Sequence, residues 1–171
     1  PPPDPVVDLS AEDRAILERV EGYTMTSLTR QVALIQAVRH LVRQGVEGCF
    51  VECGVWRGGS SMATALTLAQ ERDTDRDLYL YDTFEGMTPP TGVDRTADGT
   101  SAQAHLDSDP NRTGYWCVAG LDDVRQNMGS TGYPAARIHY VKGPVETTIP
   151  QQGPTGTIAP MSSGRRAVAR A

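Results

Sequence analysis

Glu52, Gly54, Gly58, Ser60 and Asp82 are the residues of this 171-residue chain whose types and spacing could hold a charged, nucleotide-like ligand. Four of them lie in one run, Phe50-Val51-Glu52-Cys53-Gly54-Val55-Trp56-Arg57-Gly58-Gly59-Ser60. A short apolar stretch ending in an acid, a glycine two residues on, and a glycine pair before a serine describe a strand, a tight turn and a helix N-terminus. Glycines there let a ligand approach the backbone, and the free N–H groups of the helix start face it. The acid before the first glycine departs from the G-x-G-x-x-G of a dinucleotide loop. A carboxylate in that position can meet the cationic aminoacyl end of S-adenosylmethionine, directly or through water. Methyl transfer is therefore the first reading, and the acid and the absent third glycine disfavour an NAD-dependent oxidoreductase.

Asp82 closes a second apolar run, Leu78-Tyr79-Leu80-Tyr81-Asp82, which reads as a buried parallel strand. In a doubly wound sheet, the acid ending the strand after the glycine turn accepts hydrogen bonds from both ribose hydroxyls. The plainer role for the same carboxylate is to cap the turn over residues 83–87. One helix, about residues 61–70, and a polar turn over 72–77 fit between the two strands. Upstream, Leu34, Ile35, Val38, Leu41 and Val42 form a one-faced helical stripe that Gly45 would end, and Ile16, Leu17 and Val20 form a weaker one. Downstream, Leu121, Val124 and Met128 share a helix face, and residues 137–141 read as a third strand in which His139 is packed or at an edge. Together these elements spell an α/β fold: the N-terminal part of a doubly wound, Rossmann-like sheet behind a helical cap.

The glycine-turn run, the strand continued as Thr83-Phe84-Glu85-Gly86-Met87, and Tyr23-Thr24-Met25-Thr26-Ser27 closely resemble the TylF-type macrocin O-methyltransferase family. The resemblance extends from about Val20 to Pro150, through Ser130-Thr131-Gly132-Tyr133-Pro134, Arg137-Ile138-His139-Tyr140-Val141-Lys142-Gly143 and Val145-Glu146-Thr147-Thr148-Ile149-Pro150. It implies sugar-hydroxyl O-methylation on macrolides and related antibiotics, with S-adenosylmethionine as donor and a magnesium ion. It also implies a small glycosylated partner, a cytoplasmic location and a strand order of 3-2-1-4-5. Cofactor binding would fall on Glu52, Gly54, Val55, Trp56, Arg57, Gly58, Gly59, Ser60, Asp82 and Thr83, with Gly143 in the turn bordering the adenine. Thr26 or Ser27 would lie near the methionine carboxylate, and Ser27 and Thr29 also suit an N-cap.

Composition narrows the remaining choices. Sixteen basic against 21 acidic residues, a net charge of −5, argue against a nucleic-acid surface. No apolar run approaches the ~20 residues of a membrane span. Cys49, Cys53 and Cys117 lack metal-ligand spacing and read as reduced, buried thiols. A nucleophilic Cys53 is disfavoured, because this chemistry needs no enzyme nucleophile. The polar stretch 85–115, with Pro89-Pro90, Asp98-Gly99 and Asp109-Pro110, is a lid or an ordinary loop that Trp116 would anchor, and His105 is an exposed loop residue.

The expected organisation is a linker over 1–9, a helical cap over 10–45, a partial cofactor domain over 46–150, and a non-family, disordered tail over 151–171. The tail has no acid after Glu146, so the aspartates that would hold magnesium in the family are missing from it. A frameshift after Gln152 or a truncation would each account for this. Either would leave the first strand as an exposed sheet edge and the chain inactive, with no catalytic residue to name. A non-catalytic remnant that keeps the cofactor cleft or the contacts of a homo-oligomer is the alternative.

Overall fold

A computed structural model of the chain describes residues 9–87, 89–96, 98–108 and 117–159. Helix α1 (Ala11–Val20) starts where the Ser10 hydroxyl accepts the Asp13 N–H at 3.1 Å. Its buried Ile16, Leu17 and Val20 pack against Val32, Ile35, Val38 and Leu41 of α2 (Leu28–Arg43). Strand β1 (Phe50–Cys53) leads through the glycine turn into α3 (Gly59–Gln70). That helix is buried along most of its length because α1, α2 and the sheet all pack on it. One arginine of α2 fixes these three helices together: Arg39 donates to both oxygens of the buried Asp13 at 2.9 and 2.6 Å and to Glu71 at 2.8 Å.

Strand β2 (Leu78–Asp82) is followed by the short helix α4 (Ala102–Asp107), then α5 (Leu121–Ser130), β3 (Ile138–Lys142) and α6 (Val145–Gln151). All three strands are parallel, in the order β1-β2-β3, with Phe50 opposite Leu78 and Leu78 opposite Ile138. Alternation decides the two faces. Phe50, Leu78, Leu80 and Ile138 join the core under α3 and α5, whereas Val51, Tyr79, Tyr81 and Val141 face the other side. His139 lies at the far edge of the sheet, stacked 4.4 Å from Tyr79 and 2.9 Å from Asp77. Between β2 and α5, Phe84, Leu106 of α4 and Ala119 are the buried apolar residues among those described. Trp116 lies outside the described residues, as do 1–8 and 160–171.

Residues 152–159 correct one expectation. They do not form a structureless tail, and they run beside Cys49 at the start of the β1 edge, while β1 itself stays the edge strand among the described residues. The Tyr81 hydroxyl donates to Gln152 O at 2.7 Å, and the Tyr79 hydroxyl is 3.2 Å from Thr155 Oγ1, so this segment straps the second sheet face. It then forms a single parallel bridge at Cys49, the residue before β1: the Cys49 N–H donates to Thr157 O at 2.9 Å, and the Ala159 N–H to Cys49 O at 3.0 Å. The described sheet runs β1-β2-β3, and in open α/β sheets ligands bind beyond the carboxyl ends of the strands.

Gly48 is what permits this pairing. Its φ is +132°, and a Cβ there would stand 2.6 Å from Ala159 N and 2.7 Å from Thr157 O. Gly48→Ala is expected to cost ~1–3 kcal/mol in urea unfolding and to raise hydrogen exchange at Cys49 and Ala159. Unchanged protection at both amides would show that the strap does not depend on this close approach.

Candidate cofactor site

The turn after β1 is held from β2. Gly54 N–H donates to Tyr81 O at 2.9 Å, and Gly58 N–H closes the turn on Val55 O at 2.9 Å. Between them, Asp82 Oδ2 accepts the N–H groups of Val55 at 2.6 Å and Trp56 at 3.2 Å. Asp82 Oδ1 accepts the Phe84 N–H at 2.8 Å. Thr83 Oγ1 is 3.4 Å from Oδ1, but its single proton goes to Gly86 O at 2.7 Å. A carboxylate oxygen has two lone-pair sites, so Oδ2 is filled and Oδ1 retains one. Trp56 and Phe84 adopt φ values of +50° and +53°, sparsely populated for such residues and tolerated because both ends of Asp82 hold them.

A cleft of about 410 Å³ opens at these strand ends. Gly54, Trp56, Asp82 and Thr83 form its floor, and Gly143, Pro144, Val145 and Glu146 come from the β3–α6 corner. Of the residues expected from sequence, Gly54, Trp56, Asp82, Thr83 and Gly143 line this cleft. Met25, Cys53, Tyr81, Gly86, Met87 and Cys117 also line it, and they were not expected to. Met25 and Met87 are exposed at 60% and 54%, and two unbranched apolar side chains beside a cleft are a signal that sequence reading can use.

The other expected residues lie elsewhere. Glu52 is one residue short of the strand end, so its side chain points under α3 rather than into the cleft. There its Oε2 accepts the Ser61 hydroxyl, and the Ser60 hydroxyl and Ser61 N–H also favour its charge. Dense surrounding protein outweighs these donors and pushes the Glu52 carboxyl up from its ordinary 4.5 to about 7. Thr26 sits in a polar turn 2.9 Å from Thr24 Oγ1, its carbonyl accepting Gln31 Nε2 at 2.9 Å, away from the cleft. Val55 is buried in the core. Arg57 donates to Asp123 at 3.0 and 3.3 Å and to Gly22 O at 3.0 Å, pinning the cap to α5. A Cβ on Gly59 would lie 2.5 Å from Tyr23 O, so the same cap rests directly on the first residue of α3. Gly58 packs near Val124, and Ser60 faces Glu52.

The thiols also depart from expectation, since only Cys49 is buried; Cys53 is exposed and Cys117 half-buried. Desolvation pushes both cleft thiols above their ordinary value, aided at Cys53 by Glu52 and at Cys117 by Asp82. Thiolate chemistry at neutral pH is thereby suppressed.

Comparison with known proteins gives a consistent picture. The sequence pattern of the macrocin-O-methyltransferase (TylF) family matches residues 9–160, and so includes the segment that pairs with Cys49. The 8-demethyl-8-(2,3-dimethoxy-alpha-L-rhamnosyl)-tetracenomycin-C 4'-O-methyltransferase of Streptomyces olivaceus is 34% identical, over 81% of this chain and 50% of its own length. The demethyldecarbamoylnovobiocin O-methyltransferase of Streptomyces niveus is 26% identical, over 81% and 50%. Among solved structures, the O-methyltransferase NovP superposes with a TM-score of 0.58 at 25% identity, covering 76% of this chain and 51% of that one. The chain spans about half the length of the curated relatives it matches.

Two measurements follow from the carboxylates. The folded state holds the Glu52 proton more tightly than the unfolded chain, so this contribution to stability is complete below pH 4.5 and lost as pH rises through about 7. At ~1.4 kcal/mol per pKa unit, the loss is about 3 kcal/mol. Glu52→Gln should flatten that part of the pH–stability curve, and an unchanged slope would place the titration elsewhere. Asp82→Ala should cost ~2–3 kcal/mol by releasing the Val55, Trp56 and Phe84 amides. Asp82→Asn, which keeps one carbonyl acceptor, should cost less than half as much; equal losses in denaturant titration would contradict the assignment.

Proposed function

This chain belongs to the macrocin O-methyltransferase (TylF) family, and on that premise we propose that its cleft holds S-adenosylmethionine for O-methylation of a sugar hydroxyl on a glycosylated natural product. The observation that carries this reading is the remaining acceptor site on Asp82 Oδ1, on a residue that lines the cleft at the carboxyl ends of the strands. The sequence pattern led us to expect both ribose hydroxyls on this carboxylate. With Oδ2 filled by two amides, Asp82 takes one ribose hydroxyl unless the turn gives up a donor. Gly54 lets the ligand lie against the backbone, and Thr83 and Gly86 border the ribose. Gly143, Pro144 and Val145 flank the adenine.

The cofactor, when bound, supplies an electrophilic methyl group; the residues of this chain orient and shield it. Most of the rate advantage available from such a site is positional. The apolar lip of Met25 and Met87 suits the hydrophobic body of a glycoside whose sugar reaches inward. We do not assign the acceptor's proton to Asp82, Glu52, Tyr81 or the cleft thiols. Asp82 is held by backbone amides, Glu52 is turned under α3, the Tyr81 hydroxyl is bonded to Gln152, and the cleft thiols are pushed upward.

Magnesium requires a near-octahedral set of oxygen ligands. Among the described residues no group of three or more His, Cys, Asp or Glu is placed to hold a metal, and the half-buried Glu52 and Asp82 already serve protein donors. These residues do not fit the ion, and none is given a metal role. No helix among the described residues is long and apolar enough to cross a membrane. We place the protein in the reducing cytoplasm, where three cysteines, an odd number without metal-ligand spacing, would stay as thiols.

Calorimetric titration tests the proposal. S-adenosylmethionine and S-adenosylhomocysteine should each bind saturably at one site, and NAD should not bind. Asp82→Ala should weaken both adenosyl ligands by ~1.5–3 kcal/mol, the range for hydrogen bonds to a charged group. Equal affinity in parent and variant would remove Asp82 from the site, and tighter binding of NAD would replace the cofactor assignment.

A further inference from the structure

Glu52 is the densely surrounded acid that the cleft does not use. Its side chain borders a second cavity, about 220 Å³, together with Leu34, Phe50, Ser61, Thr64 and Leu80. There it receives the Ser61 hydroxyl, with the Ser60 hydroxyl and the Ser61 N–H close by. This clasp joins the strand that enters the cofactor turn to the helix that leaves it. Asp82 grips the middle of the same turn through Val55 and Trp56. A ribose hydroxyl arriving at Asp82 shares its charge among more donors and loosens that grip. The Glu52 clasp is then what keeps Gly54 and Trp56 in place.

We propose that Glu52 is a positioning residue for the cofactor turn: it holds the first turn of α3 to the end of β1 and does not touch the bound cofactor. This rests on the adenosyl-cofactor reading above. The charged group acting on Glu52 is Asp82, which disfavours its ionisation. Leu34 from α2 and Leu80 from β2 offer it no partner. The clasp therefore consists of hydroxyl and amide donors into a carbonyl-type acceptor, which glutamine supplies at the same reach.

Two ligands separate positioning from direct contact: S-adenosylhomocysteine, which has the cationic aminoacyl arm, and 5′-methylthioadenosine, which lacks it. Binding of each to the 171-residue chain and its variants is measured by calorimetry. Positioning requires Glu52→Ala to weaken both ligands by the same factor, about tenfold or more. Glu52→Gln should restore both to within about threefold, and Ser61→Ala should add little on top of Glu52→Ala. A loss confined to S-adenosylhomocysteine would show that Glu52 meets the aminoacyl arm and would overturn the proposal, as would unchanged affinity for both ligands. If Glu52→Ala does not fold, Ser61→Ala alone carries the comparison: equal weakening of both ligands supports the clasp, and selective or absent weakening overturns it. Failure of the parent chain to bind either ligand would overturn the cofactor reading and this role with it. The variant patterns, with an intact parent, bear on Glu52 alone.

Discussion

A carboxylate at the tip of one strand, holding the backbone of its neighbour's turn, is the interaction on which the rest of this structure depends. Asp82 draws the Val55 and Trp56 amides toward β2 and the Phe84 amide back over its own strand end. Charge-assisted bonds of this kind are roughly twice as strong as neutral ones, and three of them stabilise left-handed conformations at Trp56 and Phe84 that would otherwise relax. With the turn fixed, α3 starts at Gly59, close enough to the cap that no side chain fits between them. The helical cap, α3 and the sheet then share one core.

The two acids of the site occupy the same face of the sheet at different heights. Glu52 pairs in register with Leu80, and Asp82 lies two residues farther along β2. One pleat decides their chemistry. Asp82 clears the strand ends and reaches the turn, whereas Glu52 stays beneath α3, where desolvation raises its carboxyl to about 7. Similar acids in similar motifs thus serve different ends, one open to a ligand and the other turned into the scaffold.

Much of this was legible in the sequence because it is periodic or glycine-marked. The Leu–Tyr alternation of β2, the stripe of α2 and the turn at Gly54 and Gly58 all correspond to observed elements. What was not legible depended on single-residue offsets and on contacts distant in sequence. Placing the strand end at Glu52 rather than Cys53 sent the wrong side chain into the cleft. Thr26 looked like a ligand contact because it is polar, but it satisfies Thr24 and Gln31. The strap over 152–159 has little β-propensity of its own. It is held by Tyr79, Tyr81 and Cys49, whose reach across the sheet no local pattern records. The family match runs to residue 160, past the Pro150 where the sequence motifs end, so the first part of the expected non-family tail belongs to the family pattern.

The central claim is that the turn gripped by Asp82 is the place where an adenosyl cofactor binds. Amide chemical shifts test it directly, because the Val55, Trp56 and Phe84 N–H groups report on that carboxylate. Titration of labelled chain with S-adenosylhomocysteine should move those three resonances first and most, together with Gly54 and Gly143, while α1 and His139 stay still. Saturable binding that leaves the three amides unmoved and perturbs another surface would contradict the account.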